Sequence, residues 1–190
     1  MIVIDPFRIP MIIIPVMNWE KKKEYINLPE YTDAHLEQGV TVYTDFFDNY
    51  QSDTQPEYAD RLFKALKPEL EDFKCEKFLP EGPIQIPYVW FQTALKGNRH
   101  ALHNHGQTGF SAVLYYDFDP EQHQATTFYC PFNHYNTGSE MSFTPRCNEG
   151  DLVIFPSYIL HESQPHTSDK PRTIVSWNML PTYDTPRILV

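Results

Sequence analysis

His103-Asn104-His105-Gly106-Gln107-Thr108-Gly109-Phe110-Ser111-Ala112-Val113-Leu114-Tyr115-Tyr116 joins two imidazoles to a turn and then to a run of β-branched and aromatic residues. Residues i and i+2 of an extended chain point the same way, so His103 and His105 can present ring nitrogens to one side. The run from Phe110 to Tyr116 has the composition of a strand, and Gly106 to Gly109 reads as the turn that leads into it. The pair is therefore expected at the mouth of a strand. A third imidazole, His161, stands 56 residues after His105, and Arg172 stands 11 residues after that. Two imidazoles from one extended segment and a third from a distant one can form one face of a site for a divalent ion such as iron.

The segments around the distal residues support this. Asn148-Glu149-Gly150-Asp151 is a turn signal, and Leu152-Val153-Ile154-Phe155-Pro156-Ser157-Tyr158 reads as a buried strand ended by proline, which places His161 just past a core strand. Pro171-Arg172-Thr173-Ile174-Val175-Ser176-Trp177-Asn178 reads as another strand. An arginine among such apolar neighbours, if buried, calls for an anionic partner. His35, His100, His123, His134 and His166 are read as surface or hydrogen-bonded core residues, the ordinary roles of a neutral imidazole.

Trp90-Phe91-Gln92, Lys96-Gly97-Asn98, His103-Asn104-His105-Gly106, Ser111 to Tyr116, Gly150 to Tyr158, His161 and Arg172 to Asn178 together resemble the 2-oxoglutarate- and iron(II)-dependent oxygenase superfamily, and within it the small oxygenases of bacteria and phages. The resemblance runs from Tyr88 to Asn178, about half of the chain. It implies a mainly-β double-stranded β-helix, a jelly-roll, cupin-like barrel, with supporting helices from the N-terminal part. It implies Fe(II) and 2-oxoglutarate as cofactors, His103 and His161 as metal ligands, and Arg172 on the far carboxylate of 2-oxoglutarate. Gln92, Asn98, Ser176 and Asn178 are polar groups on or near the barrel strands that can hydrogen-bond the cosubstrate.

Where the superfamily has an acidic residue two positions after the first histidine, this chain has His105. With His105 as ligand, the set is His103, His105 and His161, and the metal sits among three neutral donors, one negative charge short of the usual site. Two other registers remain: a water or anion in place of His105, or His105 as the first ligand with Gln107 in the acid's position. The expected activity is a dioxygenase that hydroxylates an unknown substrate, a protein side chain or a small molecule. The rivals are a three-histidine cupin-like dioxygenase that does not use 2-oxoglutarate, and a noncatalytic metal-binding jelly-roll module.

Composition fits a β architecture. The chain has 190 residues, enough for one domain, and its 13 Phe, 12 Tyr and 3 Trp favour strands over a helical bundle. The domain is expected to fill residues 1–190, with 1–80 as strand and helix support and 84–180 as barrel core. A formal net charge of −10 argues against a broad nucleic-acid surface. Cys75, Cys130 and Cys147 have no paired spacing, which suggests a reducing compartment. The apolar residues near the start are broken by Asp5, Pro6, Arg8, Pro10 and Pro15, so neither a signal-peptide core nor a membrane span fits. A cytoplasmic location follows as an expectation, and the resemblance extends it to a phage protein acting in its host's cytoplasm. Oligomeric state is not legible.

Residues 2–16 suggest an edge strand interrupted by prolines, and Thr41-Val42-Tyr43 a short strand. Tyr58, Leu62, Leu66, Leu70 and Phe73 form a helical stripe that should pack on a sheet, with Pro68 kinking or splitting the helix. The stretch from Asp117 to Pro145 reads as a long loop with a strand-like Thr126-Thr127-Phe128-Tyr129 inside it, a candidate lid or recognition surface. The tail after Asn178 is expected to lie extended across the domain.

Overall fold

The computed structural model describes residues 9–36, 42–74 and 83–181. It is a double-stranded β-helix built of two antiparallel sheets with helices against the larger one. That sheet contains β1 (Ile12–Pro15), β2 (Tyr43–Thr44), β3 (Ile84–Gln85), β4 (Val89–Ala94), β6 (Phe110–Asp117), β9 (Asp151–Pro156) and β11 (Arg172–Pro181). Its order is β1-β9-β6-β11-β4-β2, with β3 also paired to β11. The smaller sheet has the order β5-β10-β7-β8, from β5 (His100–His103), β10 (His161–Ser163), β7 (Thr127–Tyr129) and β8 (Ser142–Phe143).

Alternation along the central strands divides the molecule into two cores. Leu114 of β6, Leu152 and Ile154 of β9, and Val175 and Trp177 of β11 join one cluster with residues of the helices α1 (Trp19–Ile26), α3 (Tyr58–Ala65) and α4 (Lys67–Lys74). Val113, Tyr115, Val153, Phe155 and Ile174, one residue off in register, pack inside the barrel with Phe128 and Ile159. Strand periodicity of two makes this division automatic. It also sends Trp90 and Gln92 of β4, and Arg172 and Ser176 of β11, to the same face as Ile174.

The predicted stripe Tyr58, Leu62, Leu66 and Phe73 is buried against the outer face of the large sheet. It is split into α3 and α4 at Leu66, and Pro68 lies in the first turn of α4, where its missing N–H has no intrahelical role. The edge strand predicted from residues 2–16 is β1, and residues 2–8 lie outside the described part, as does Thr41 of the short strand observed at Tyr43–Thr44. The stretch from Asp117 to Pro145 is mostly irregular, with β7 at the expected strand-like segment and the two-residue β8 near its end. Residues 182–190 of the tail and Cys75 are outside the described residues, among which Cys130 and Cys147 are free thiols. Gly150 adopts φ +85 in the turn before β9, and a Cβ there would stand 2.5 Å from Trp19 Cγ, so the turn and α1 are in direct contact. Among the described residues no helix is long and apolar enough to cross a membrane.

Candidate metal centre

His103 and His161 are direct cross-strand partners of β5 and β10, and their ring centroids are 4.3 Å apart. His105 lies just past β5, its backbone N–H held by the Ser157 carbonyl at 2.9 Å. The ligand atoms of His103, His105 and His161 all lie within 4.8 Å of one another, and no other group of three or more His, Cys, Asp or Glu among the described residues meets that test.

The hydrogen bonds fix which nitrogens face inward. His103 Nδ1 donates to the Ala101 carbonyl at 2.7 Å, and His161 Nδ1 donates to the Ile159 carbonyl at 2.9 Å. Each ring therefore keeps an unprotonated Nε2, the arrangement that orients a metal-ligating imidazole. Nε2 of His161 lies 3.2 Å from Nε2 of His105. That is near the edge length expected of two nitrogens sharing one ion at about 2.0–2.1 Å. Burial, and next the neighbouring His103, push the pKa of His161 down to about 2 and that of His105 to about 4; burial also lowers that of His103. All three are neutral at physiological pH, as ligands must be. The donor set fits a divalent ion that accepts imidazole.

Behind the triad is a slot lined by Gln92, His100, Thr126, Ser163, Ile174 and Ser176 as well as the three imidazoles. It is tight: about 20 Å³, room for about one water. Arg172 stands just beyond Ser163. It is 4% exposed; one terminal nitrogen donates to the Gln124 carbonyl at 2.7 Å and the other to Ser163 Oγ. Its Nε is buried with no partner, and among the described residues no carboxylate pairs with the guanidinium. Burial pushes its pKa down. A cation so placed calls for an anion, and a carboxylate is the group its planar fork matches.

The start of β11 is held from outside the slot. His123 Nε2 and His166 Nε2 both donate to the Lys170 carbonyl, at 3.1 and 2.7 Å, and their rings are 5.0 Å apart. His123 Nδ1 in turn accepts the Asp119 N–H at 3.0 Å. Both histidines are satisfied core residues, as expected of them.

Of the residues predicted for the cosubstrate, Gln92 and Ser176 line the slot. Asn178 lines the adjoining outer pocket and accepts a hydrogen bond from Ser111 Oγ at 2.9 Å. Asn98 is not brought to the site: its Oδ1 caps the β4–β5 turn by accepting the Leu95 N–H at 2.7 Å, and its carbonyl accepts the His166 N–H. Gln107 is exposed and outside the cluster.

His100, read from sequence as an ordinary histidine, belongs to the site. Its ring stacks on His103 at 4.0 Å, and its Nδ1 accepts from Gln92 Nε2 at 3.1 Å. Burial and the nearby His103 lower its pKa to about 3. The cause is a bulge. His161 pairs with His103 and Ser163 with His100, so β5 uses four residues where β10 uses three, and both β5 histidines reach one face. The His100-x-x-His103 spacing was visible, but the bulge was not.

Residues 88–178 match the family model described as "Putative 2OG-Fe(II) oxygenase". No curated protein sequence matches the chain. Among solved structures it is similar to the non-heme alpha ketoglutarate dependent epimerase SnoN from nogalamycin biosynthesis, at 14% identity over 96% of this chain and 83% of that one, with TM-score 0.60. It is similar also to HygX from Streptomyces hygroscopicus with nickel, 2-oxoglutarate and hygromycin B bound, at 11% identity over 93% and 85%, with TM-score 0.58. A Pseudomonas putida prolyl-4-hydroxylase is matched at 19% identity over 66% of each chain, just under two thirds of that protein, with TM-score 0.45. The first two likenesses speak for the fold, and the family model speaks for the segment that carries all three imidazoles and Arg172. Over that segment, just under half of the chain, the sequence matches a model of the 2-oxoglutarate- and iron(II)-dependent oxygenases.

Proposed function

We propose that the chain is an iron(II)- and 2-oxoglutarate-dependent dioxygenase that hydroxylates its substrate, with His103, His105 and His161 holding the metal and Arg172 the far carboxylate of 2-oxoglutarate. The observation that carries this reading is the buried Arg172 guanidinium, without a carboxylate partner among the described residues, one side chain behind three converging imidazoles. When bound, the metal and 2-oxoglutarate supply an oxidising equivalent from dioxygen, with succinate and carbon dioxide released.

The chain's own residues prepare for that chemistry. The Ala101 and Ile159 carbonyls keep the inward nitrogens of His103 and His161 free of protons. Trp90, Val113 and Ile174, all buried, wall the slot with apolar surface and limit water. Gln92 and Ser176 offer polar groups along the slot. A five-carbon diacid needs more than the space of one water, so a wall side chain must turn. His100 is the candidate, since its ring rests on His103, is tied by one bond to Gln92, and lines both the slot and an outer pocket of about 390 Å³.

The test is anaerobic titration of 2-oxoglutarate into the Fe(II)-loaded protein, read by the visible metal-to-ligand charge-transfer band. Arg172→Lys should weaken binding about 100-fold, because a point charge cannot reproduce two parallel hydrogen bonds. Equal affinity in the two proteins would remove Arg172 from the assignment. The all-imidazole donor set favours one second reading, a cupin-like dioxygenase that does not use 2-oxoglutarate, and that protein would show no such band.

A further inference from the structure

Outside the triad lies a pocket of about 390 Å³ walled by Phe46, Phe47, Tyr50, Tyr88 and Trp90. Its floor is shared with the slot through Gln92, His100, His103 and His105, so a group held there lies against the imidazoles. Three of the rings come from one helix, α2 (Phe46–Ser52), and Trp90 from β4. The rings brace each other: Phe46 meets Trp90 edge-on at 5.1 Å and stacks with Tyr50 at 5.7 Å, while Tyr50 meets Tyr88 at 5.4 Å. Tyr50 is 56% exposed, which leaves the rim open to solvent.

Among the described residues the wall contains no Lys, Arg, Asp or Glu. A phosphate or carboxylate entering it would lose water without gaining a cation. Aromatic faces, in contrast, are electron-rich and attract a cation, all the more once it is desolvated. The surrounding charge has the same preference. From Asp45 to Asp60 the chain carries Asp45, Asp48, Asp53, Glu57 and Asp60 and no Lys or Arg, and the whole chain is at −10. A net negative charge of this kind favours the approach of cations over anions.

We infer that this pocket receives an ammonium group of the prime substrate, methylated or free, and holds it by its aromatic walls beside the metal centre. The inference rests on the dioxygenase reading for the word substrate, but the pocket's preference for cations does not depend on the reaction.

The probes are choline and its uncharged carbon isostere 3,3-dimethylbutan-1-ol, titrated by calorimetry into the metal- and 2-oxoglutarate-loaded full chain. Choline should bind roughly tenfold more tightly than the isostere, the ratio a desolvated cation–π site supports. Tyr50→Leu, at an exposed rim position, should reduce choline affinity about fivefold, leave the isostere unchanged, and be rescued by Tyr50→Phe. Equal affinity for the two probes, tighter binding of the isostere, or no binding of either at tens of millimolar overturns the inference. The same titrations on zinc-loaded protein without 2-oxoglutarate separate the two claims. Choline preference there, in a protein whose iron form shows no charge-transfer band, would leave the pocket standing and remove the 2-oxoglutarate-dependent reading.

Discussion

β11 carries two sets of side chains one pleat apart, and they differ in kind. Val175 and Trp177 face the helices among Leu62, Leu66 and other apolar residues. Arg172, Ile174 and Ser176 face the barrel interior, where a guanidinium has no carboxylate partner among the described residues and four imidazoles crowd one another. The same backbone hydrogen bonds support both faces. One side contributes burial, and the other retains buried polar groups at a cost in stability, which the proposed function would explain by a ligand that uses them. Unlike most strands in which one face meets water, both faces here are covered, so alternation separates stability from chemistry rather than inside from outside.

The contrast is broken most severely on the helix side. Trp177 is fully buried and packs edge-on against Phe63 at 5.7 Å. Trp177→Ala should lower unfolding free energy by about 3–5 kcal/mol in denaturant titration, with metal affinity of the folded protein intact. Loss of metal binding at unchanged stability would mean that the two faces are not separable in this way.

The barrel side should respond to acid. Burial lowers the pKa of His100, His105 and His161 to about 3, 4 and 2, below the value near 6.5 they hold unfolded. Between those values the unfolded chain binds more protons than the folded one. The metal-free protein should therefore be fully stable above about pH 6.5 and lose about 1 kcal/mol per pH unit for each imidazole as pH falls toward 4. Thermal unfolding of the metal-free protein at pH 7, 6 and 5 measures the slope, and a flat profile would show the imidazoles are not kept from water.

Arg172→Met sharpens the comparison by its sign. Removing a buried charge without a counter-ion should raise stability by about 1 kcal/mol in denaturant unfolding while abolishing 2-oxoglutarate binding. A loss of several kcal/mol would make Arg172 a structural residue. The smallest effect is expected at His100. His100→Ala widens the slot, and 2-oxoglutarate should bind about threefold to tenfold more tightly in the charge-transfer titration, since no ring has to be displaced. Weaker binding would make His100 a contact of the cosubstrate instead.

Much of this was legible because strands expose their logic every second residue. The positions of Arg172, Ile174 and Ser176 on one face and Val175 and Trp177 on the other follow from spacing alone, and the division of the helix stripe followed from Pro68. His103 and His161 were legible through their place beside two apolar runs. What escaped depended on tertiary detail. A bulge turned His100 toward His103, and a turn needed the Asn98 side chain for the Leu95 N–H. The aromatic wall escaped because Phe46, Phe47 and Tyr50 lie in a stretch with no clear periodicity, and only the packing of α2 over β4 gives those rings a common cavity.

The Lys170 carbonyl has two lone pairs, and His123 and His166 occupy both. The first residue of a strand is where a sheet would ordinarily fray, yet here the chain is pinned two residues before Arg172 reaches inward. The guanidinium is thus aimed before any anion arrives, and the entropy of fixing it belongs to folding rather than to binding. In that sense two histidines that touch no ligand set the rest position of the one arginine that would.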